Sequence, residues 1–251
     1  VITDKRKRDA QLRRAESLAS LTTLAAGVAH EIKNPLGAIS IHIQLLQKAL
    51  KAKKPVDKEN MDHHLKIVTE EIDRLNKIVV DFLFAVRPMD VELREGDPGQ
   101  VVREVAELLR FEAEGQGVKL DVKIGESIPR VLIDKRYLKQ ALLNLAKNAL
   151  AAMPKGGSLA LAVEGDEQEV RITVADTGTG IPEEDLPKIF EPYFTTKDSG
   201  TGLGLTITFK IVKEHQGEIA VNSKVGEGSS FTISLPVPQK ERRLLTWSDE
   251  S

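Results

Sequence analysis

AGVAHEIKNPLGAISIHIQLL, residues 26–46, decides how the rest of the chain is read. His30 is followed at once by an acid, Glu31, and one helical turn later by an amide, Asn34, with Pro35 next. Apolar residues recur at Leu18, Leu21, Ala25, Val28, Ile32, Ile39, Ile43, Leu46 and Leu50, mostly in steps of three and four, the seam of a bundle helix. With Ala25 and Ile32 at position a and Val28 at d, His30 falls at f, farthest from the seam, and Asn34 shares its face. The imidazole is therefore expected in solvent. Pro35 has no N–H, so the helix is expected to be interrupted and to bend there. An unperturbed histidine is largely neutral at physiological pH and offers a ring lone pair. An adjacent carboxylate can hold the other ring proton, which makes a nucleophile. An inert surface histidine is the alternative, and the remaining motifs choose between the two.

At 251 residues the chain suits one large or two modest domains. It is 41% hydrophobic and 29% charged, a soluble globular profile. A net charge of −2 leaves no polyanion footprint, so nucleic acid is not an expected partner. The absence of cysteine excludes disulfides, thiolate catalysis and thiolate metal sites, and fits a reducing, cytoplasmic setting. No run of about 18 apolar residues exists, so no membrane contact is expected of this stretch. The charged helical start suggests the cytoplasmic part of something longer. An upstream sensor domain is expected, in a parent free to be membrane-attached.

Residues 1–52 read as one long helix, and 51–60, polar and proline-bearing, as a turn. Leu65, Val68, Ile72, Leu75, Val79, Phe82 and Val86 then form a second seam helix ending near Arg87-Pro88. Together, 1–88 form a hairpin with more apolar stripe than one hairpin buries, so a dimeric four-helix bundle is expected. His63 and His64 read as plain surface residues. Residues 89–100 read as a linker. Over 101–238 the periodicity predicts helices at 101–111, 137–153 and 202–215. It predicts strands at 118–123, 131–133, 159–163, 170–175, 218–223 and 229–235. Without a regular βαβ repeat, this is an α/β sandwich with helices packed on one mixed sheet. Residues 239–251 read as a tail.

Four groups could carry chemistry here. Asn144 and Asn148 stand one turn apart on an otherwise largely apolar helix and can ligate a hard cation, or be ordinary surface amides. Lys147 beside them could meet phosphate. Asp176 ends a strand before Gly178 and Gly180. A buried carboxylate can accept from an exocyclic amine, and glycines let a flat ring approach; an acidic turn is the plain alternative. Gly200, Gly202 and Gly204, with Leu203 between, open a helix whose N–H groups suit a phosphate chain, and Lys197 precedes them. Residues 177–201 suit a mobile lid anchored by Phe190 and Phe194. Neither a Walker loop nor a dinucleotide fingerprint is present.

AAGVAHEIKNPLGAI, residues 25–39, resembles the phosphoacceptor box of two-component sensor histidine kinases of the His-Glu-x-x-Asn subgroup. Asn144/Asn148, Asp176–Gly180, Phe190–Phe194, Gly200–Gly204 and Gly226–Ser229 resemble, in order, the nucleotide boxes of their ATP-binding domain, whose fold is similar to that of DNA gyrase. The resemblance implies ATP and Mg²⁺ as cofactors. It implies His30 as phosphoacceptor, Glu31 as the assisting acid and Asn34 as the residue positioning a water that dephosphorylates the partner. It further implies Asp176 at the adenine amine, Asn148 and Asn144 at Mg²⁺, and the lid glycines over the phosphates. Ser229 stands where many relatives have Thr. The implied partners are a second copy of the chain and a response-regulator receiver domain. Three other expectations remain open: a non-catalytic nucleotide-binding scaffold, a phosphatase-dominant enzyme, and a gyrase-like ATPase. Gyrase-like ATPases carry a catalytic Glu where this chain has Asn144, which disfavours the last.

Overall fold

The computed structural model describes residues 27–29, 31–51, 57–86, 89–197 and 200–238. His30, the lead-in before residue 27, the turn at 52–56 and the tail from 239 lie outside the described residues, with the expectations that fall on them. The chain divides into two units, Val1–Met89 with Ile189–Ile207, and Asp90–Lys188 with Thr208–Ser251.

The first unit holds helices α1, residues 31–51, and α2, Lys58–Val86. The helix runs through Pro35 without a break, which corrects the expected interruption. A proline ring holds φ near the helical value, so the cost is one lost hydrogen bond, and the ring here is buried. Asp57 caps α2, its Oδ1 accepting from Glu59 N at 3.1 Å and Asn60 N at 3.2 Å. Val28 and Ile78 are buried. By contrast, Leu36, Ile43 and Leu50 on α1, and Leu65, Ile72 and Val79 on α2, are each between 41% and 60% exposed. These two rows repeat every seven residues, so one hairpin leaves a seam uncovered. His64, expected as a plain surface residue, is half-buried and meets His42 across the two helices.

In the second unit, the stretch read as a linker is partly ordered structure. Strand β1, Arg94–Gly96, precedes α3, Pro98–Gly115, whose first turn is capped by Asp97 accepting from Gly99 N. Three residues of alternation were too few to separate a strand from a linker. There follow β2, Val118–Ile124; β3, Val131–Ile133; α4, Lys135–Ala151; β4, Gly157–Gly165; and β5, Glu169–Asp176. Helix α5, Gly204–Glu214, leads to β6, Glu218–Lys224, and β7, Gly228–Pro236. Five strands form a mixed sheet in the order β2-β4-β5-β7-β6, with only β2–β4 parallel, and β1–β3 is a separate antiparallel pair.

Strand alternation builds the core. Leu159, Leu161 and Val163 of β4, Val170, Ile172 and Val174 of β5, and Phe231, Ile233 and Leu235 of β7 are all buried. Helices α3 and α4 lie on β2, β4 and β5. Their buried residues, among them Val101, Val105 and Leu109, then Leu138, Leu142, Leu145 and Ala149, recur in steps of three and four. The alternate positions hold polar groups such as Arg171, Thr173 and Thr232, the last two with hydroxyls 3.3 Å apart.

One buried carboxylate ties these elements together. Asp134 caps α4 by accepting from Arg136 N at 3.0 Å, and it also accepts from Glu92 N at 3.2 Å. The Arg136 guanidinium meets it at 2.8 Å. Its own N–H donates to His215 Nε2 at 3.0 Å, while His215 Nδ1 lies 2.7 Å from the carbonyl of Ile211, so that ring is a neutral Nδ1–H tautomer. The Arg136 side chain, opposed in part by burial and helped by two backbone N–H groups, holds the Asp134 carboxyl down at about 2. A depressed carboxylate stabilises the fold above its unfolded pKa, near 4, and that contribution is lost as pH falls towards 2. Asp134→Ala is expected to cost roughly 2 kcal/mol at neutral pH and to flatten the loss of stability between about pH 4 and 2. Denaturant titrations at several pH values check both outcomes.

Candidate functional site

Strand pairing brings four of the candidate residues together. Asp176 is the last residue of β5 and the next inward position after Val170, Ile172 and Val174, so it is 9% exposed. Its Cα partners are Leu159 on β4 and Ser229 on β7. Its Oδ1 accepts from Gly178 N at 2.8 Å, which turns the chain sharply and fixes the carboxylate. The loop that follows is pinned on two sides. Thr179 N donates to the carbonyl of Ala152, just past α4, at 3.1 Å, and Gly226 N in the β6–β7 turn donates to Thr179 O at 2.9 Å. Gly180 has φ +71°, and a Cβ there would lie 2.1 Å from the carbonyl oxygen of Lys224. No other residue type fits that approach. Ser229 is buried and its hydroxyl lies 3.0 Å from that of Ser223, which also accepts from Ile181 N at 2.8 Å.

Asn144 and Asn148 are half-buried on α4, one turn apart, and Lys147 is exposed. Gln140 Nε2 donates to Asn144 Oδ1 at 3.1 Å, so ligation through that oxygen exchanges one donor for an ion. Side-chain carbonyls in this arrangement suit a hard cation with a partial water shell.

The remaining candidates lie in the other unit. Residues 177–203 form no helix or strand where described, as expected of a loop. Lys197 is exposed; Leu203 is fully buried, while Gly200, Gly202 and Gly204 are half-buried. The buried apolar residues of the segment are Ile189 and Leu203. Phe190 and Phe194, expected as its anchors, are only half-buried. Gly202, at φ +62°, sits against the backbone of Tyr193, where a Cβ would come within 2.4 Å, and Tyr193 N donates to Gly202 O at 3.1 Å. This glycine therefore has a packing duty of its own.

The segment meets the hairpin through groups to which the sequence motifs gave no role. The Tyr193 ring leaves no room for a side chain at Gly27, where a Cβ would lie 2.6 Å away. Thr201 Oγ1 donates to Asp81 Oδ2 on α2 at 3.1 Å. Burial pushes the Asp81 carboxyl up, against the pull of the Thr201 hydrogen bond and Lys77. Burial likewise raises Glu31; Arg74 pulls it down in part, and Asp81 adds to the rise. Tyr193 is pushed up to about 12 by burial and by the Glu31 charge. The only sequence signal for Asp81 is an acid inside an apolar helix period. Glu31 is thus held beside Asp81 and an aromatic ring, in surroundings that shift its carboxyl above the ordinary value. Asn34 is exposed.

Comparison with known proteins gives two family matches. Residues 20–89 match the family described as the His Kinase A phospho-acceptor domain. Residues 133–239 match the Histidine kinase-, DNA gyrase B- and HSP90-like ATPase family. The chain is 35% identical over 245 residues to Sporulation kinase E of Bacillus subtilis, covering 96% of this chain and 32% of that protein. It is 38% identical over 228 residues to Sensor histidine kinase ZraS of Escherichia coli, covering 90% of this chain and 48% of that one. The chain thus spans a third to a half of the curated relatives it matches. Among solved structures, histidine kinase ThkA in complex with response regulator TrrA aligns with a TM-score of 0.77 at 31% identity, over 92% of this chain and 66% of that one. The isolated catalytic domain of ThkA aligns at 35% identity with a TM-score of 0.54, over 58% of this chain and 98% of that one.

The buried Tyr193 contact has a direct spectroscopic consequence. Of the two tyrosines, Tyr193 should ionise late, near 12, and Tyr193→Phe should remove that late phase from an alkaline titration of tyrosinate absorbance. A variant that leaves the late phase in place would mean the phenol is not buried against the hairpin.

Proposed function

We propose that this chain, which belongs to the two-component sensor histidine kinases, phosphorylates its own His30 from ATP and passes the phosphoryl group to an aspartate of a response regulator. The observation that carries the reading is the pairing, in one chain, of two parts. One is the sequence His30-Glu31-x-x-Asn34, whose acid opens α1 and is raised by burial. The other is an α/β sandwich whose buried Asp176 ends a strand between a glycine loop and α4.

The residues present fit ATP and Mg²⁺. Asp176, held by Gly178 N, offers a carboxylate to the adenine amine, and the close backbone approach at Gly180 supports a flat ring beside it. Ser229, whose hydroxyl is turned to Ser223, is the weakest of the proposed contacts. Lys147, Lys197 and the N–H groups of Gly200, Gly202, Leu203 and Gly204 at the start of α5 suit the phosphates. Asn144 and Asn148 would hold Mg²⁺, which would neutralise charge on those phosphates.

In the transfer, a ring nitrogen of His30 bonds to the γ-phosphorus. The bond from that phosphorus to the bridging oxygen breaks, and ADP leaves with the electron pair. Glu31 holds the proton on the other ring nitrogen; a carboxyl raised by burial is a better base than an exposed one. The N–P bond then breaks as a carboxylate oxygen of the regulator forms an O–P bond. Asn34, exposed four residues after His30, suits positioning a water for hydrolysis of the regulator's aspartyl phosphate. The exposed rows Leu36/Ile43/Leu50 and Leu65/Ile72/Val79 support a homodimer in which two hairpins complete a four-helix bundle. The ThkA–TrrA complex supports a response regulator as the partner.

His30→Gln should abolish transfer of label from γ-labelled ATP while nucleotide binding is retained. Glu31→Gln should slow autophosphorylation by about 10²-fold. Asn34→Ala should spare autophosphorylation and slow dephosphorylation of the regulator. Retained labelling without His30 overturns the acceptor assignment. Equal loss of both activities in Asn34→Ala reduces that residue to a structural role.

A further inference from the structure

We propose that His42 and His64 form a binding site for one divalent transition-metal ion of the imidazole-preferring kind, such as Zn²⁺, Ni²⁺ or Cu²⁺, clamping α1 to α2. The two residues lie 22 apart in sequence and on different helices, yet their Nδ1 atoms are 3.0 Å apart. The ring centroids are 5.1 Å apart with planes tilted by 57°. Both side chains are half-buried, so the rings are held but reachable from solvent.

Two imidazole nitrogens facing each other share one hydrogen, one ring donating and the other accepting. Both Nδ1 lone pairs converge on a cation once the donor ring moves its proton from Nδ1 to Nε2; the acceptor ring needs no change, and neither ring loses a proton overall. Metal–imidazole bonds are about 2.0–2.1 Å, so a tetrahedral ion holds two nitrogens roughly 3.3 Å apart. The rings need part by only a few tenths of an ångström. Neutral imidazole favours zinc, copper and nickel over magnesium or calcium, which separates this site from the hard oxygen donors of Asn144 and Asn148. Among the described residues no group of three or more His, Cys, Asp or Glu is placed to hold a metal, so water completes the coordination and the site is a two-histidine chelate. His63, its ring 5.7 Å from that of His64, neighbours the pair without facing it in the same way. His42 lies eleven residues after Glu31 on α1, on the order of 16 Å along the helix. An ion here would restrain the hairpin without touching the phosphoryl-transfer groups, so both can be tested separately.

The test uses the 251-residue chain, with thermal unfolding followed by circular dichroism in chelator and in added Zn²⁺. At about a hundred times the dissociation constant, Zn²⁺ should raise the midpoint by roughly 5 °C. His42→Ala and His64→Ala should each abolish the rise, while His63→Ala keeps it. Cu²⁺ added to the native chain should give an electron paramagnetic resonance spectrum with two coordinated imidazole nitrogens, reduced to one in either alanine variant. A rise that persists in the double variant, or no rise in the native chain, shows that the pair is a hydrogen bond only. If an alanine variant fails to fold, the copper spectrum of the native chain decides, and the lack of a two-nitrogen signature overturns the proposal.

Discussion

A strand that buries one face must send every second side chain into the core, and β5 does this to its last residue. Val170, Ile172 and Val174 pack inward, and the next inward position is Asp176. A carboxylate there cannot be solvated as it would be in a surface turn, so the backbone N–H of Gly178 satisfies one oxygen. The loop must then turn at once. Its path is fixed by hydrogen bonds to Ala152 and Gly226 and by the contact between Gly180 and Lys224. Cradle, glycines and the neighbouring end of α4 all follow from the register of one strand.

The hairpin unit shows the opposite use of burial. In the sandwich, Asp134 is buried with enough donors to depress its pKa, and it locks α4, the segment around Glu92, and α5 together. In the hairpin, Glu31 and Asp81 are partly desolvated with too little compensation, and both carboxyls rise. The sign of the shift separates the two settings: donors in excess stabilise the charged form of Asp134, and desolvation in the hairpin disfavours that of Glu31 and Asp81. At Asp81, burial outweighs the Thr201 hydroxyl and the Lys77 charge together, which leaves that carboxyl raised.

Long elements were legible because periodicity accumulates with length. The seam of α2, the buried stripe of α4 and the alternation of β4, β5 and β7 all lie within a few residues of their expected limits. Short or exceptional elements were not. β1 has three residues, too few for a period to register, and its pairing with β3 depends on residues nearly forty positions away. Pro35 reads as a helix breaker, yet its ring is buried and its fixed φ suits the helix, which absorbs one missing hydrogen bond. Phe190 and Phe194 read as anchors because they are large and aromatic. Ile189 and Leu203 fill that role, since the direction of a side chain in a loop is not set by any period.

Residue type and spacing by themselves determined the two-part architecture and the mixed sandwich, because those depend on local repeats carried within a few positions. Only the tertiary structure decided which distant side chains share an environment. Tyr193 lies against Gly27, Thr201 reaches Asp81, His42 meets His64, and His215 accepts from Asp134 N. Each of these pairs spans more than twenty residues of chain. No local pattern encodes such a meeting, and the burial that shifts the acids exists only once the chain has closed around them.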